Sequence, residues 1–422
     1  MSGAGDRYVQ PFVILGGSTP LALGLLSIIP GFGQALVQWL GANFVDRGGR
    51  RKATIVRCVI LQALMWGPIC LAIFLPQPGS YVLLLVAYAL YVFLDSFCLP
   101  AWNSLMGDLV PAERRGWFFA YRNSLISLAI MGSFLAGGWW LTYCEKTPGL
   151  ARWTLASKDF GFLTLFVIAG LARLVSGRYM NQMHEPPYVR APSDDFSLLD
   201  FLRRAPRANF GRFVFYCALI SLSGGVVGPF FGWYLLRQLG LEPREFAVIG
   251  TVQMLAALAA QPLWGRLADR AGNKRVLTIG GIGVIGIPVL LLLGSSFPYL
   301  LVVQAYDGII WAAFDIAASN YFFDIVTPAK RVRCTAYHSL IVTTGTTLGV
   351  LIGVMIMQFV PDGAVIWGRT MEHPFTLVLM TAALLRVVPN VVLLRSFREW
   401  RLTAPVPAPI LRPESRGEGP PV

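Results

Sequence analysis

Ala42-Asn43-Phe44-Val45-Asp46-Arg47-Gly48-Gly49-Arg50-Arg51-Lys52 returns, altered, as Gly265-Arg266-Leu267-Ala268-Asp269-Arg270-Ala271-Gly272-Asn273-Lys274-Arg275. Each copy ends one apolar segment and starts the next. A charged turn used twice in matching places divides the chain into two related halves. Further landmarks recur outside it. Asn103–Arg115 is echoed by Asn320–Arg331, Ala120-Tyr121 by Ala336-Tyr337, Gln38 by Gln261, and Arg173 by Arg386. Offsets of 213 to 223 residues hold across these pairs.

The 422 residues are 55% hydrophobic and 14% charged, whereas soluble domains run near a quarter charged. The apolar runs reach the roughly 20 residues that cross a bilayer. Spanning helices are expected at about 19–41, 54–75, 81–107, 117–142 and 160–181, then at about 210–236, 245–265, 276–294, 298–323, 335–360 and 372–396. The fold class is therefore all-α and integral to the membrane. A bundle of residues 1–182 is joined through a loop, 183–208, to a second bundle, 209–398, with a Pro-rich disordered tail, 399–422. Within the central loop, Phe196–Arg204 reads as a short helix on the membrane surface or as a plain linker.

The net charge of +13 invites a nucleic-acid reading. Its distribution argues against one, because Lys and Arg gather in alternate short loops. Arg47, Arg50, Arg51 and Lys52, then Arg114 and Arg115, then Arg266, Arg270, Lys274 and Arg275, then Lys330, Arg331 and Arg333 share one side. By the positive-inside rule that side is cytoplasmic, together with the central loop and the tail. The expected location is the cell membrane. The six cysteines form no CxxC pair and the three histidines no cluster, so neither metal nor disulfide is expected.

The Asp-Arg-x-Gly-Arg-Arg turn at Asp46–Arg51 resembles the signature loop of the major facilitator superfamily, and Asp269–Lys274 resembles its weaker second copy. The likeness extends over almost the whole chain. Ala42 stands where the family favours glycine, and Asn273-Lys274 where the first copy has Arg-Arg. The resemblance implies two pseudo-symmetric six-helix bundles, a secondary transporter working by alternating access, and a conformational latch. The latch would comprise Asp46, Arg47, Arg50, Arg51, Asp269, Arg270, Asp108 and Asp324, with Asp46 meeting the helix start near Arg333–Tyr337 and Asp269 the one near Arg115–Trp117. A carboxylate is favoured at the positive end of a helix. The alternative is a basic turn that only sets topology.

Twelve spans are implied and about eleven are complete. Tyr8–Gly17 reads as the outer end of a first span, so the sequence is expected to begin inside helix one, by a misassigned start or as a fragment. The other reading is a genuine eleven-span chain. Asp6 is then either an intramembrane charge or an ordinary terminal residue.

Intramembrane polar groups are functional candidates. Asp95 lies 13 residues before Asp108, roughly 20 Å along a helix. Asp307 and Asp315 occupy the corresponding span. These carboxylates, with Asp6, Gln38, Arg122 and Gln261, form the candidate substrate or proton site. The other reading makes the carboxylates structural partners of Arg122, Arg173 or Arg386. Arg57, Arg122, Arg173 and Arg178 either snorkel and pair or contact substrate. Gly132, Gly137, Gly138, Gly345, Gly349 and Gly353 line the fifth span of each half, where small residues allow tight helix crossing.

No GxxxxGK[ST] sequence is present, so ATP drive within this chain is not expected. Nor does any nucleophile–base or metal set indicate an enzyme. The expected function is secondary transport of a small molecule, with the proton as candidate coupling ion. No cofactor and no nucleic acid are expected, the lipid bilayer is the expected surrounding partner, and a monomer is expected. The alternative is a transporter-derived receptor or scaffold that binds a ligand without moving it.

Overall fold

The computed structural model describes residues 3–397 apart from 49, 111, 148–155, 187–202, 204–207, 327–330, 364, 367–368 and 371–372. The first half holds α1 (Asp6–Leu15), α2 (Pro20–Gly48), α3 (Arg51–Ala72), α4 (Gly79–Leu109), α5 (Ala112–Lys146) and α6 (Ser157–Asn181). The second holds α7 (Asn209–Trp233), α8 (Pro243–Ala271), α9 (Asn273–Leu293), α10 (Phe297–Ile325), α11 (Arg331–Phe359) and α12 (Pro374–Val388). Among the described residues, 11 helices are long and apolar enough to cross a membrane. α1 has 10 residues, about 15 Å of helix and half of a hydrocarbon core. Val365–Ile366 and Arg369–Thr370 form a two-residue antiparallel ladder between α11 and α12. The expected surface helix at 196–204 lies outside the described residues, apart from Arg203.

Each expected span is present, but several helices run past the apolar stretch. α2 continues to Gly48 rather than ending near 41, α8 continues to Ala271 rather than 265, and α5 begins at Ala112 rather than 117. Hydropathy marks where hydrocarbon ends; backbone hydrogen bonding continues beyond it. Gly272 ends α8 and starts α9 in one residue. Its φ of 97° costs glycine little, and its N–H returns to the Ala268 carbonyl at 2.9 Å. Regular α-helix also gives way to π-helical turns at Tyr234–Gln238 and Pro389–Leu393, splitting two segments that read as continuous.

Within the first half α3 packs on α4 and α6, and α2 on α4; within the second α7 packs on α11 and α12, and α10 on α8 and α9. Aromatic side chains fill both interiors, Tyr8, Trp66, Phe162 and Phe166 in one and Phe213, Tyr216, Tyr321 and Phe397 in the other. Glycines set the α7–α11 crossing. A methyl group on Gly345 would overlap the Ala218 carbonyl, and one on Gly349 the Leu222 carbonyl. Gly137 lies against Tyr8 and Gly138 against Ala247, whereas Gly132 faces open space and takes no part in a crossing. Phe359 (78% exposed) and Leu293 (73%) point outward with many other large apolar side chains, as a lipid-facing surface requires.

The halves meet through two helix pairs related by the repeat, α2 with α11 and α5 with α8, and through α1 with α7. Gly24 and Gly31 of α2 lie against Val354 and Thr347 of α11, and Gly138 of α5 against the Pro243 carbonyl of α8. These contacts belong to the end away from the basic turns. Toward the basic turns, Phe32, Leu36, Trp39 and Phe44 of α2 are exposed.

Candidate functional site

A cavity opens between the halves. One chamber of about 300 Å³ is walled by Arg7 and Gln10 of α1, Phe246 and Gln253 of α8, Trp311 of α10 and Arg386 of α12, among others. Neighbouring chambers of about 400 Å³ and 210 Å³ share Gln10 with it and add Ser27, Thr346 and Tyr88. Gln10 Nε2 donates to the Pro229 carbonyl at 2.6 Å, tying α1 to α7 across the divide.

On the second-half wall, Gln253 Nε2 donates to Asp307 Oδ2 and the Trp311 side chain lies beside the same carboxylate. Arg386 stands close enough to interact with Asp307 electrostatically. Its Nε donates to Ser223 Oγ at 3.1 Å and its Nη1 to the Val284 carbonyl at 2.5 Å. Its guanidinium lies 5.9 Å from the Trp311 ring centre. Asp307 and Arg386 are 6% and 4% exposed. Both charges are therefore compensated by named partners, the condition for holding a charge in a low-dielectric interior.

The first half builds a similar cluster from different helices. Arg173 Nη2 of α6 lies 3.1 Å from Asp95 Oδ1 of α4. Gln62 of α3 accepts from Arg173 Nε at 2.6 Å and donates to Asp95 at 3.2 Å. Tyr91, one turn before Asp95, donates its hydroxyl to Asp6 Oδ2 at 3.2 Å. Of the three arginines expected as structural partners for Asp95, the structure selects Arg173. Arg122 instead lies over the Trp102 ring, 5.3 Å from its centre, and donates to Asn123.

Asp6 and Asp307 thus line the cavity, while Asp95, its side chain 57% exposed, belongs to the Arg173 cluster of the first half and lines none of the described chambers. Asp315 and Gln261 are exposed, Gln38 is half-buried, and none of the three lines a described chamber. Sequence reading passed over Arg7, Gln10, Gln253 and Trp311. A polar pair three residues apart on one apolar helix, Arg7 and Gln10, was the available signal.

At the basic end Arg51 is fully buried. Its Nη1 meets Asp108 Oδ2 at 2.5 Å and Ser104 Oγ at 3.0 Å, and its Nη2 donates to the Pro186 carbonyl at 2.9 Å. The second copy is weaker: Asn273 Nδ2 donates to Asp324 Oδ2 at 2.7 Å, and Lys274 to the Phe397 carbonyl. Arg50, Asp269 and Arg270 are exposed. The side chains of Asp46 and Arg47, and those of residues 111–117 and 331–333 at the helix starts, lie outside the described residues.

The opposite end is closed by a clamp absent from the expectations. Trp139, Thr142 and Lys146 share one face of α5. Glu242 caps α8 in a reciprocal capping box with Glu245. Lys146 Nζ meets Glu242 Oε1 at 2.5 Å, and Arg244 Nε meets Glu242 Oε2 at 2.6 Å. The Arg244 backbone N–H donates to Thr142 Oγ1 at 3.0 Å, and its guanidinium lies 5.6 Å from the Trp139 ring centre. The hydrogen bond from Lys146, with the charge of Arg244 beside it, holds the Glu242 carboxyl below its ordinary value. Arg237 adds a bond to the Ser18 carbonyl at 3.2 Å.

Comparison with known proteins gives one answer. The chain is 23% identical over 375 residues to the multi-drug resistance efflux pump PmrA homolog of Lactococcus lactis subsp. lactis strain IL1403, covering 86% of this chain and 85% of that protein. A bacterial homolog of the human lysosomal transporter Spinster, in an inward-facing and unoccupied conformation, superposes with a TM-score of 0.69 at 17% identity, covering 92% of each chain. The nucleoside transporter NupG superposes with a TM-score of 0.65 at 13% identity, covering 94% of this chain and 95% of that one. The family described as Major Facilitator Superfamily matches residues 8–221 and 213–402. Two repeated bundles, a cavity between them and matches in both halves together establish that the chain belongs to the major facilitator superfamily.

Proposed function

We propose that this chain exports amphipathic small molecules in exchange for protons, with its basic end in the cytoplasm. That it is a secondary transporter working by alternating access follows from its family; direction, coupling ion and orientation are our reading. The observation that carries the reading is Asp307, a carboxylate in the cavity wall held by Gln253 beside Arg386. A carboxylate that faces the cavity meets each side of the membrane in turn. Protonation would weaken its hold on Gln253 and Arg386, and substrate would compete with the proton for the freed groups. The efflux pump named above supports the outward direction. The clamp at the opposite end supports a conformation open toward the basic turns, and the positive-inside rule gives those turns to the cytoplasm.

The test is proteoliposomes holding an internal pH dye, challenged with a panel of anionic, neutral and cationic aromatic compounds. At least one compound is expected to move protons. Asp307→Asn is expected to exchange that compound at equilibrium but not to concentrate it. Concentrative transport by Asp307→Asn would remove Asp307 as the carrier, and flux without proton movement would remove the coupling.

A further inference from the structure

We infer that Arg7 is a recognition site for an anionic group, a carboxylate by chemical class, on an aromatic substrate. This rests on the transport reading of the cavity and sharpens it. Two guanidiniums line the chamber between the halves, and they stand in different circumstances. Arg386 is engaged by Ser223, the Val284 carbonyl and the Trp311 ring, and it faces Asp307. Arg7 is exposed; its guanidinium lies 5.3 Å from the Phe134 ring centre, and the neighbouring Asp6 carboxylate acts on it electrostatically. That carboxylate also accepts from the Tyr91 hydroxyl at 3.2 Å.

A guanidinium keeps its charge and presents donors in a fork that fits a carboxylate. Water in the open cavity solvates it. Alternating access then requires the halves to close over the cavity, removing that water. Closure would bury Arg7 beside a carboxylate that it shares with Tyr91, and an under-compensated buried charge is costly, so an anionic ligand at Arg7 would also ease the closing step. The surroundings set the rest of the ligand. Phe134 lies edge-on to Phe246, with ring centres 5.7 Å apart and at 81°, so an apolar corner of two rings stands beside the cation. Gln10 lies one turn along the same face. Its amide nitrogen is occupied by the Pro229 carbonyl. The guanidinium fork beside this aromatic corner fits an aromatic acid.

Equilibrium binding to the purified full chain in nanodiscs tests this, using 2-naphthoate and indole-3-acetate against their primary amides. At least one acid is expected to bind on the order of tenfold or more tightly than its amide. Arg7→Gln should bring acid and amide to the same Kd, and Arg7→Lys should keep part of the preference. Circular dichroism and size-exclusion profiles check the fold of both variants. If Arg7→Gln does not fold, the acid-to-amide ratio on the unaltered chain decides alone. Amides binding as tightly as acids, no acid binding, or an acid preference that survives Arg7→Gln would each overturn the assignment. Failure of the transport reading is a separate result, read as absence of flux in proteoliposomes for compounds of every charge.

Discussion

Glu242→Gln should shift the chain toward a conformation open at the clamp end. Glu242 holds two cations at once, Lys146 from the first half at 2.5 Å and Arg244 from its own helix at 2.6 Å. The pair that crosses the divide is partly exposed, with Lys146 at 55% and Glu242 at 31%. Ion pairs of that exposure contribute about 0.2–1 kcal/mol each. Arg244 adds a fixed positive neighbour, so loss of the carboxylate is worth about 1 kcal/mol, roughly a fivefold change in the closed-to-open ratio. Spin labels on the outer ends of α5 and α8 would read it as a growing long-distance population. The same argument fixes the pH response. The closed form holds the Glu242 carboxyl below its ordinary 4.5, so near that pH the open form binds more protons than the closed form. The clamp is therefore fully present above pH 4.5 and is lost as pH falls through the lowered value. Unchanged distances in Glu242→Gln, or an equal shift when Lys146 is already Met, would refute the reasoning.

Gly349→Ala sets a methyl group against the Leu222 carbonyl and should cost about 1–3 kcal/mol in thermal unfolding. Gly132→Ala, with open space around it, should be neutral or slightly stabilising because alanine favours helix. Arg51→Ala strands Ser104, Asp108 and the Pro186 carbonyl. Since Asp108 is 47% exposed and water partly replaces the arginine, the expected loss is about 1–3 kcal/mol, read as a lower melting temperature.

The repeat made the scaffold legible. The charged turn at Asp46–Arg51 and its echo at Asp269–Lys274 fixed where α2, α3, α8 and α9 meet, because a run of charges is too costly to place in hydrocarbon. Side-chain direction was another matter. α10 is apolar all round, so periodicity does not say which of Asp307 and Asp315 faces the cavity. Packing decides: Asp307 is buried against Gln253 and Trp311, and Asp315 is exposed. The clamp was hidden for a related reason. Glu242 and Lys146 lie 96 residues apart in sequence, in loops whose charges read as ordinary solvated groups. Only the approach of α5 to α8 makes them a pair.

The two arginine clusters show how far a repeat can be trusted for function. Arg173 and Arg386 occupy equivalent helices, α6 and α12, at the expected offset, and each lies near a carboxylate served by a glutamine. Yet Gln62 comes from α3 and Gln253 from α8, which are not equivalent helices. Asp307 precedes the position equivalent to Asp95 by about a helical turn or more. Duplication supplied the arginine positions, and each half then found its own compensation. The consequence is functional asymmetry. One cluster joins Arg173 and Gln62 to an exposed Asp95 within the first half; the other stands in the cavity wall. Arg173→Gln should therefore act chiefly on stability, because it strands the buried Gln62 that Arg173 serves, while water takes over at the exposed Asp95. Arg386→Gln should change both stability and the pH dependence of transport, because it takes the positive neighbour from a carboxylate that faces the cavity. Equal effects of the two variants on the transport pH profile would show that the clusters remain equivalent in function, whatever their geometry.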